Sequence, residues 1–82
     1  MTKLEFIKEI KNVVDTKPAT FRNGQAVFNY IDSRYGVAHD IKERGVDCYY
    51  DDDQIEMFVN MAYNIIKNGN VHDFPGNNMI EE

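Results

Sequence analysis

The densest chemical groups in this sequence are carboxylates gathered between residues 47 and 56. The cluster consists of Asp47, Asp51, Asp52, Asp53 and Glu56. A calcium loop places its carboxylates at alternate positions and turns sharply at a glycine, and this stretch has neither feature. Adjacent aspartates suit the start of a helix, where they cap backbone N–H groups and meet the positive end of the helix dipole. We therefore predict capping and solvated charge, with a partner-facing acidic patch as the first alternative and metal binding as the second.

The sulfur and imidazole groups that could bind zinc or form a nucleophilic site are few and scattered. They are Cys48, His39 and His72, and no two of them stand three or four residues apart as a helical ligand pair would. A Cys–His–Asp arrangement is formally available, but nothing in the sequence aligns its members. Cys48, flanked by Val46 and Tyr49, is typical of a small buried apolar residue. We expect a protein that is not an enzyme and that holds no metal or cofactor.

Tyrosine and methionine side chains offer another kind of site, a contact surface. Tyr63 stands about 100° from the axis of the apolar stripe on its predicted helix. Tyrosine and methionine are over-represented at protein interfaces. Either these side chains are scattered surface residues, or they join the neighbouring carboxylates in one patch. The candidate interaction residues are Tyr50, Asp51, Asp52, Met57 and Tyr63.

The charge distribution bears on nucleic-acid binding. The formal net charge is −5, and the acidic residues are concentrated after residue 45. Such a chain repels phosphate backbones, so we expect nucleic acid to be a poor partner. Mimicry of DNA by the acidic cluster is a minor alternative at this modest charge. A second alternative is a helix-turn-helix-like pair that places four cations against phosphates. These cations are Arg22, Arg34, Lys42 and Arg44.

The first helix that positions these groups is clearly marked. Thr2 and Glu5 have the spacing of a capping box. Apolar residues then recur at helical spacing until Pro18, which predicts a helix that stops near residue 15 or 16. The predicted apolar arc consists of Leu4, Phe6, Ile7, Ile10, Val13 and Val14.

The second helix is predicted to begin with Asn23 as its N-cap and to stop at Gly36 in the left-handed conformation. Its apolar face consists of Val27, Phe28, Ile31 and Tyr35. A candidate structural motif lies on the same helix and consists of Gly24, Gln25 and Asn29. Asn29 either belongs to a solvated polar face or braces the backbone of the Tyr-rich loop.

A short helix at 37–44, an ordered loop at 45–53 and a last amphipathic helix complete the pattern. One of the aspartates at 51–53 is predicted to cap the last helix, which ends at Lys67–Gly69. Its apolar stripe consists of Ile55, Phe58, Val59, Ala62, Ile65 and Ile66. We predict an all-α fold, a compact three- to four-helix domain at residues 1–69. The C-terminal tail at 70–82 is expected to be either flexible or pinned by Phe74.

Length and composition restrict the remaining functions. A chain of 82 residues hides only ~63% of its unfolded surface on folding, so a large internal ligand cavity is not expected. No apolar run approaches the ~20 residues of a membrane span. The first residues lack the apolar core of a signal peptide. With a single cysteine, these features favour a cytoplasmic protein without a disulfide framework.

The middle of the chain, about residues 21–60, resembles a family of short uncharacterised bacterial and phage-type proteins. The matching residues are Arg22, Gly24, Gln25, Ala26, Phe28, Asn29, Tyr35, Ile41, Asp47, Tyr49, Tyr50, Asp51, Asp52 and Phe58. Phe21 stands where that family commonly has a tryptophan, and Cys48 where it commonly has a proline. The resemblance implies a small accessory protein of bacterial chromosomes or mobile elements. It also implies that the Gly-Gln-Ala and Tyr-Tyr-Asp-Asp segments belong to one structural unit, and it brings no catalytic residues.

The sequence as a whole favours a small non-enzymatic helical protein that acts by protein–protein interaction. The partner is another protein or a second copy of the chain, so a homodimer is one expected form. A nucleic-acid-binding accessory protein that uses the four cations is the alternative. An enzyme ranks third, and no membrane association is expected.

Overall fold

The computed structural model describes residues 1–68. They form four α-helices, α1 (Lys3–Thr16), α2 (Asn23–Tyr35), α3 (Ala38–Glu43) and α4 (Ile55–Lys67), and a 3₁₀ helix at Asp52–Gln54 leads directly into α4. This part of the chain contains no strand, which confirms the predicted all-α fold. The predicted tail at 70–82, with Phe74 and His72, lies outside the described residues. None of the four helices combines the length and apolar character that crossing a membrane requires.

Local signals account for most helix ends. The predicted capping box is present in α1, where the Thr2 N–H donates to Glu5 Oε1 at 2.8 Å and the Glu5 N–H donates to Thr2 Oγ1 at 3.1 Å. Pro18 follows the extended C-cap residue Lys17, as predicted. Gly36 ends α2 with φ of 73°, a conformation that glycine adopts without a steric penalty. Each of these ends depends on a few neighbouring residues.

Two predicted N-caps are wrong. Asn23 is the first helical residue of α2, and the N-cap is Arg22, whose side chain makes no capping hydrogen bond. The N-cap of α4 is Gln54 rather than an aspartate, because the chain first forms the 3₁₀ helix. Asp51 caps that 3₁₀ helix instead, since its Oδ1 accepts the Asp53 N–H at 2.9 Å.

The core contains buried side chains from all four helices and from the loop before α4, and on α1 its centre is Phe6, which is fully buried. The rings of Tyr35 on α2 and Tyr63 on α4 lie 5.7 and 5.9 Å from the Phe6 ring. Because both neighbours pack against this side of α1, Phe6 and Ile10 are its buried residues. Leu4 and Ile7, which the sequence placed in the apolar arc, are instead 62% and 44% exposed.

The remaining helices bury the side chains that their spacing predicted. The predicted inward residues of α3, Ala38 and Ile41, are fully buried. On α4, Phe58, Val59 and Ala62 are buried, and the rest of the stripe is half-buried against the core.

The connection between α3 and α4 is the ordered loop that the sequence predicted. Val46 and Cys48 are buried, whereas Asp47 between them is half-exposed and Tyr50 is exposed. Burial of residues two apart is typical of an extended backbone, whose side chains point alternately to opposite sides. The loop therefore contributes two side chains to the core without pairing as a strand.

Candidate interaction surface

The N-terminus of α2 is held by the loop rather than by its own cap. The Gly24 N–H donates to Asp52 Oδ1 at 3.0 Å, across 28 residues of sequence. The Cys48 thiol donates to the Gly24 carbonyl oxygen at 3.3 Å. The Asp52 carboxylate thus accepts a free backbone N–H of the first turn of α2, which a local N-cap side chain usually does. It also lies at the positive end of the helix dipole.

Arg22 and Gln25 hold the same loop from the other side. The Arg22 guanidinium donates to the Tyr49 carbonyl oxygen, and its Nε lies 3.7 Å from Asp52 Oδ1. Gln25 Nε2 donates to the Tyr49 hydroxyl at 3.3 Å. The side chain of Asn29 is exposed, in agreement with the solvated-face interpretation. These contacts join the Gly-Gln-Ala and Tyr-Tyr-Asp-Asp segments, as the resemblance implied, and Arg22 takes the bracing role considered for Asn29.

The acidic cluster serves the local backbone. Asp51 caps the 3₁₀ helix, Asp52 holds Gly24, and Asp47 Oδ1 accepts the Tyr49 N–H at 2.9 Å in an Asx-type turn. Asp53 and Glu56 are exposed. These positions agree with the predicted capping and solvated charge. Within residues 1–68, no three His, Cys, Asp or Glu side chains are grouped so that they could hold a metal ion.

Cys48 lies in the core, whereas His39 lies at the surface. Cys48 is fully buried, and burial raises the pKa of its thiol to about 12, with a further increase from the Asp47 carboxylate. The His39 ring lies 5.3 Å from the Phe28 ring, and its Nε2 lies 3.8 Å from Asp32 Oδ1. The thiol is therefore protonated at neutral pH, and its hydrogen bond goes to a backbone carbonyl group.

The residues of the predicted aromatic patch lie in different surroundings. Tyr63 packs against Phe6, and its hydroxyl donates to the Met1 carbonyl oxygen at 3.3 Å, so it belongs to the half-buried edge of the core. Tyr50 is 74% exposed, and its ring lies 4.8 Å from the Tyr49 ring. Met57 is 57% exposed on α4. Tyr50 and Met57 are available to a partner, and their role in binding stays a prediction.

The four cations of the nucleic-acid alternative already have partners inside the fold. Arg22 holds the loop, and Arg44 Nη2 lies 3.2 Å from Asp40 Oδ2. The Arg34 guanidinium lies 5.1 Å from the Tyr35 ring centroid, and Lys42 Nζ lies 6.0 Å from that of Tyr50. Binding to phosphates would compete with these contacts.

A carboxylate between two tyrosines connects α1 to α2, and the sequence did not predict it. The hydroxyls of Tyr30 and Tyr35 both donate to Glu9 Oε2, the second at 2.7 Å. Burial, followed by the hydrogen bond to Glu9, raises the pKa of Tyr30 and raises that of Tyr35 to about 12. The apolar pattern placed Glu9 on the polar side of α1, and no local signal connects it to tyrosines more than 20 residues away.

An open apolar groove runs between α1 and α4, and we call it the α1–α4 groove. Its volume is about 350 Å³. It is lined by Lys3, Ile7, Ile10 and Lys11 from α1 and by Ile55, Glu56, Val59 and Asn60 from α4. Leu4 does not line the groove, but it is exposed one helical turn from Ile7, which does, so the two side chains are neighbours on the surface of α1.

The width of the apolar arc on α1 is the sequence signal that could have revealed this groove. From Val13 to Leu4 the arc covers about 180° of the helix, whereas a core-facing stripe needs only about 100°. The excess is the Leu4 and Ile7 side, which the fold leaves exposed.

Comparison of the chain with protein families, with curated proteins and with solved structures finds no match in any of the three.

Proposed function

We propose that this chain is a small non-enzymatic helical protein that acts by binding another protein surface through the α1–α4 groove. The observation that carries the proposal is the exposure of Leu4 and Ile7, at 62% and 44%, beside a groove that contains further isoleucines. Single exposed apolar residues are ordinary, but a contiguous apolar surface with a polar rim is typical of an interaction site.

The surroundings of the groove support contact with a protein. Lysines stand on its α1 side, and Glu56 and Asn60 stand on its α4 side. An apolar centre with a charged rim is the common arrangement of protein–protein interfaces. The resemblance to short bacterial and phage-type proteins supports an accessory role, and the single protonated thiol is compatible with the reducing cytoplasm.

Nucleic-acid binding through Arg22, Arg34, Lys42 and Arg44 receives less support. Each of these side chains is near an acidic or aromatic partner in the same chain. The formal net charge of −5 adds long-range repulsion from phosphates.

Affinity capture from a bacterial lysate tests the proposal with a groove variant, Leu4→Asp combined with Ile7→Gln. Leu4 lies in the first turn of α1, where an added carboxylate suits the helix dipole, and glutamine is a good helix former. The comparison variant is Tyr50→Ala, which removes the most exposed aromatic side chain of the competing predicted patch and lies outside the groove.

We expect the wild type and the Tyr50 variant to capture the same protein, whether a foreign one or an untagged copy of this chain added to the lysate. The groove variant should lose it while keeping its helical circular dichroism. Equal recovery by all three proteins would contradict the proposal.

A further inference from the structure

The two walls of the α1–α4 groove carry opposite charges. Lys3 and Lys11 stand on the α1 wall, and Lys8 is exposed next to them on the same helix. Lys11 Nζ also lies 3.8 Å from Asp15 Oδ2 in an exposed ion pair, which contributes little and can be exchanged for a new one. Glu56 stands on the α4 wall. A surface with basic and acidic sides flanking an apolar centre is complementary to a copy of itself that is turned by half a rotation.

The two helices that form the walls are antiparallel. Tyr63, late in α4, contacts Met1 and Phe6 at the start of α1. Ile55, the first residue of α4, lines the groove together with Lys11, which lies in the second half of α1. Consider a two-fold axis that runs parallel to these helices. It would place α1 of one copy over α4 of the other copy, and every two neighbouring helices in the dimer would then be antiparallel.

We infer that the occupant of the α1–α4 groove is a second copy of this chain, an inference that rests on the proposed function of the same groove. The four helices form an antiparallel bundle around Ile7, Ile55 and their copies. Lys11 of each protomer faces Glu56 of the other, because Glu56 lies in the first turn of α4, level with the second half of α1. The arrangement covers Leu4 and Ile7 on both protomers.

The apolar contacts supply the affinity, and the charges select the orientation. A two-fold interface contains every contact twice, so each substitution acts twice. Replacing Ile7 by glutamine and Leu4 by aspartate is expected to raise the dimer dissociation constant by about 100-fold or more. Exposed ion pairs contribute little individually, so a charge change at the rim is expected to have a smaller, salt-dependent effect of about 3- to 30-fold.

Sedimentation equilibrium of the full chain at micromolar concentration tests the inference with two charge variants, Lys11→Glu and Glu56→Lys. Each variant alone places two charges of the same sign at the contact between residue 11 of one protomer and residue 56 of the other, so each should dimerise more weakly than the wild type. An equimolar mixture restores opposite charges at both contacts, so the mixture should dimerise more strongly than either variant alone. Lys42→Glu, which makes the same charge change outside the groove, is the matched control and should behave as the wild type.

If the wild type stays monomeric throughout the micromolar range, the inference is wrong. The occupant of the groove would then be another part of the chain or a foreign protein. The proposed function would then still be judged by whether the Leu4 and Ile7 substitutions abolish lysate capture. A dimer that the groove substitutions leave intact, or a mixture that dimerises no better than its components, would also overturn the inference. Circular dichroism of each variant excludes unfolding as the cause of dissociation.

Discussion

Replacing Gly24 by alanine tests how the loop holds α2, because two effects of opposite sign meet at this position. Alanine is the best helix former, and glycine in a helix costs about 1 kcal/mol relative to it. By propensity alone, Gly24→Ala would therefore stabilise the protein. A Cβ on Gly24, however, would overlap the Cys48 carbonyl oxygen and stand 2.7 Å from Asp52 Oδ1 and 3.1 Å from the Cys48 carbonyl carbon.

The steric effect is the larger one. The nearest atom belongs to the backbone of a buried loop residue, so rotation of a flexible side chain cannot relieve the overlap. Forcing an extra carbon into a packed site costs about 1–3 kcal/mol. Movement of the loop also weakens the hydrogen bond from Gly24 to the Asp52 carboxylate, which contributes about 1–2 kcal/mol at this partly exposed position. After subtraction of the propensity gain of about 1 kcal/mol, we expect a net loss of about 1–4 kcal/mol.

Urea unfolding followed by circular dichroism at 222 nm measures this loss of free energy. In a thermal scan, the Tm of a domain of this size should fall by about 4–30 °C. The control is Ser33→Ala, an exposed position on the same helix, which should change stability by less than about 0.5 kcal/mol. A Gly24→Ala protein as stable as the wild type, or more stable, would refute the close approach of loop and helix.

Two further predictions concern groups with raised pKa values. Cys48 should react with a thiol reagent at pH 8 far more slowly than a free cysteine, because burial raises its pKa to about 12, and urea should restore the rate. Rapid reaction of the native protein would contradict this burial. The pKa of Tyr35 is raised from 10.0 to about 12, so the folded state favours the neutral phenol. Its contribution to stability should be complete below pH 10 and disappear as the pH rises to 12. Tyrosinate absorbance should accordingly show a late-titrating component that is smaller in Tyr35→Phe, where Tyr30 alone keeps a raised pKa. Titration of all five tyrosines near pH 10 would exclude this arrangement.

The exposed apolar side of α1 has a physical explanation in the size of the protein. Phe6 already contacts both α2 and α4 from one side of α1, and four short helices leave nothing to cover the opposite side within residues 1–68. Small domains commonly gain stability by association, because a single small core supplies little. The groove variants therefore test stability as well as binding.

The helices themselves were predictable from the sequence because their signals are local. A capping box, a proline and a glycine each act on backbone groups within a few residues. The inward faces of α3 and α4 were also predictable, since their apolar residues form narrow stripes. The buried state of Cys48 followed from its apolar neighbours. Residues close together in the sequence determine these features.

The tertiary structure alone decided which side of the wide apolar arc on α1 faces the core. Periodicity defines the arc but cannot say which part of it meets a neighbouring helix, because packing against α2 and α4 makes that choice around Phe6. The contacts of Asp52 with Gly24 and of Glu9 with two tyrosines join residues more than 20 positions apart. Such pairs leave no local signal, since any exposed carboxylate in the sequence could have made them.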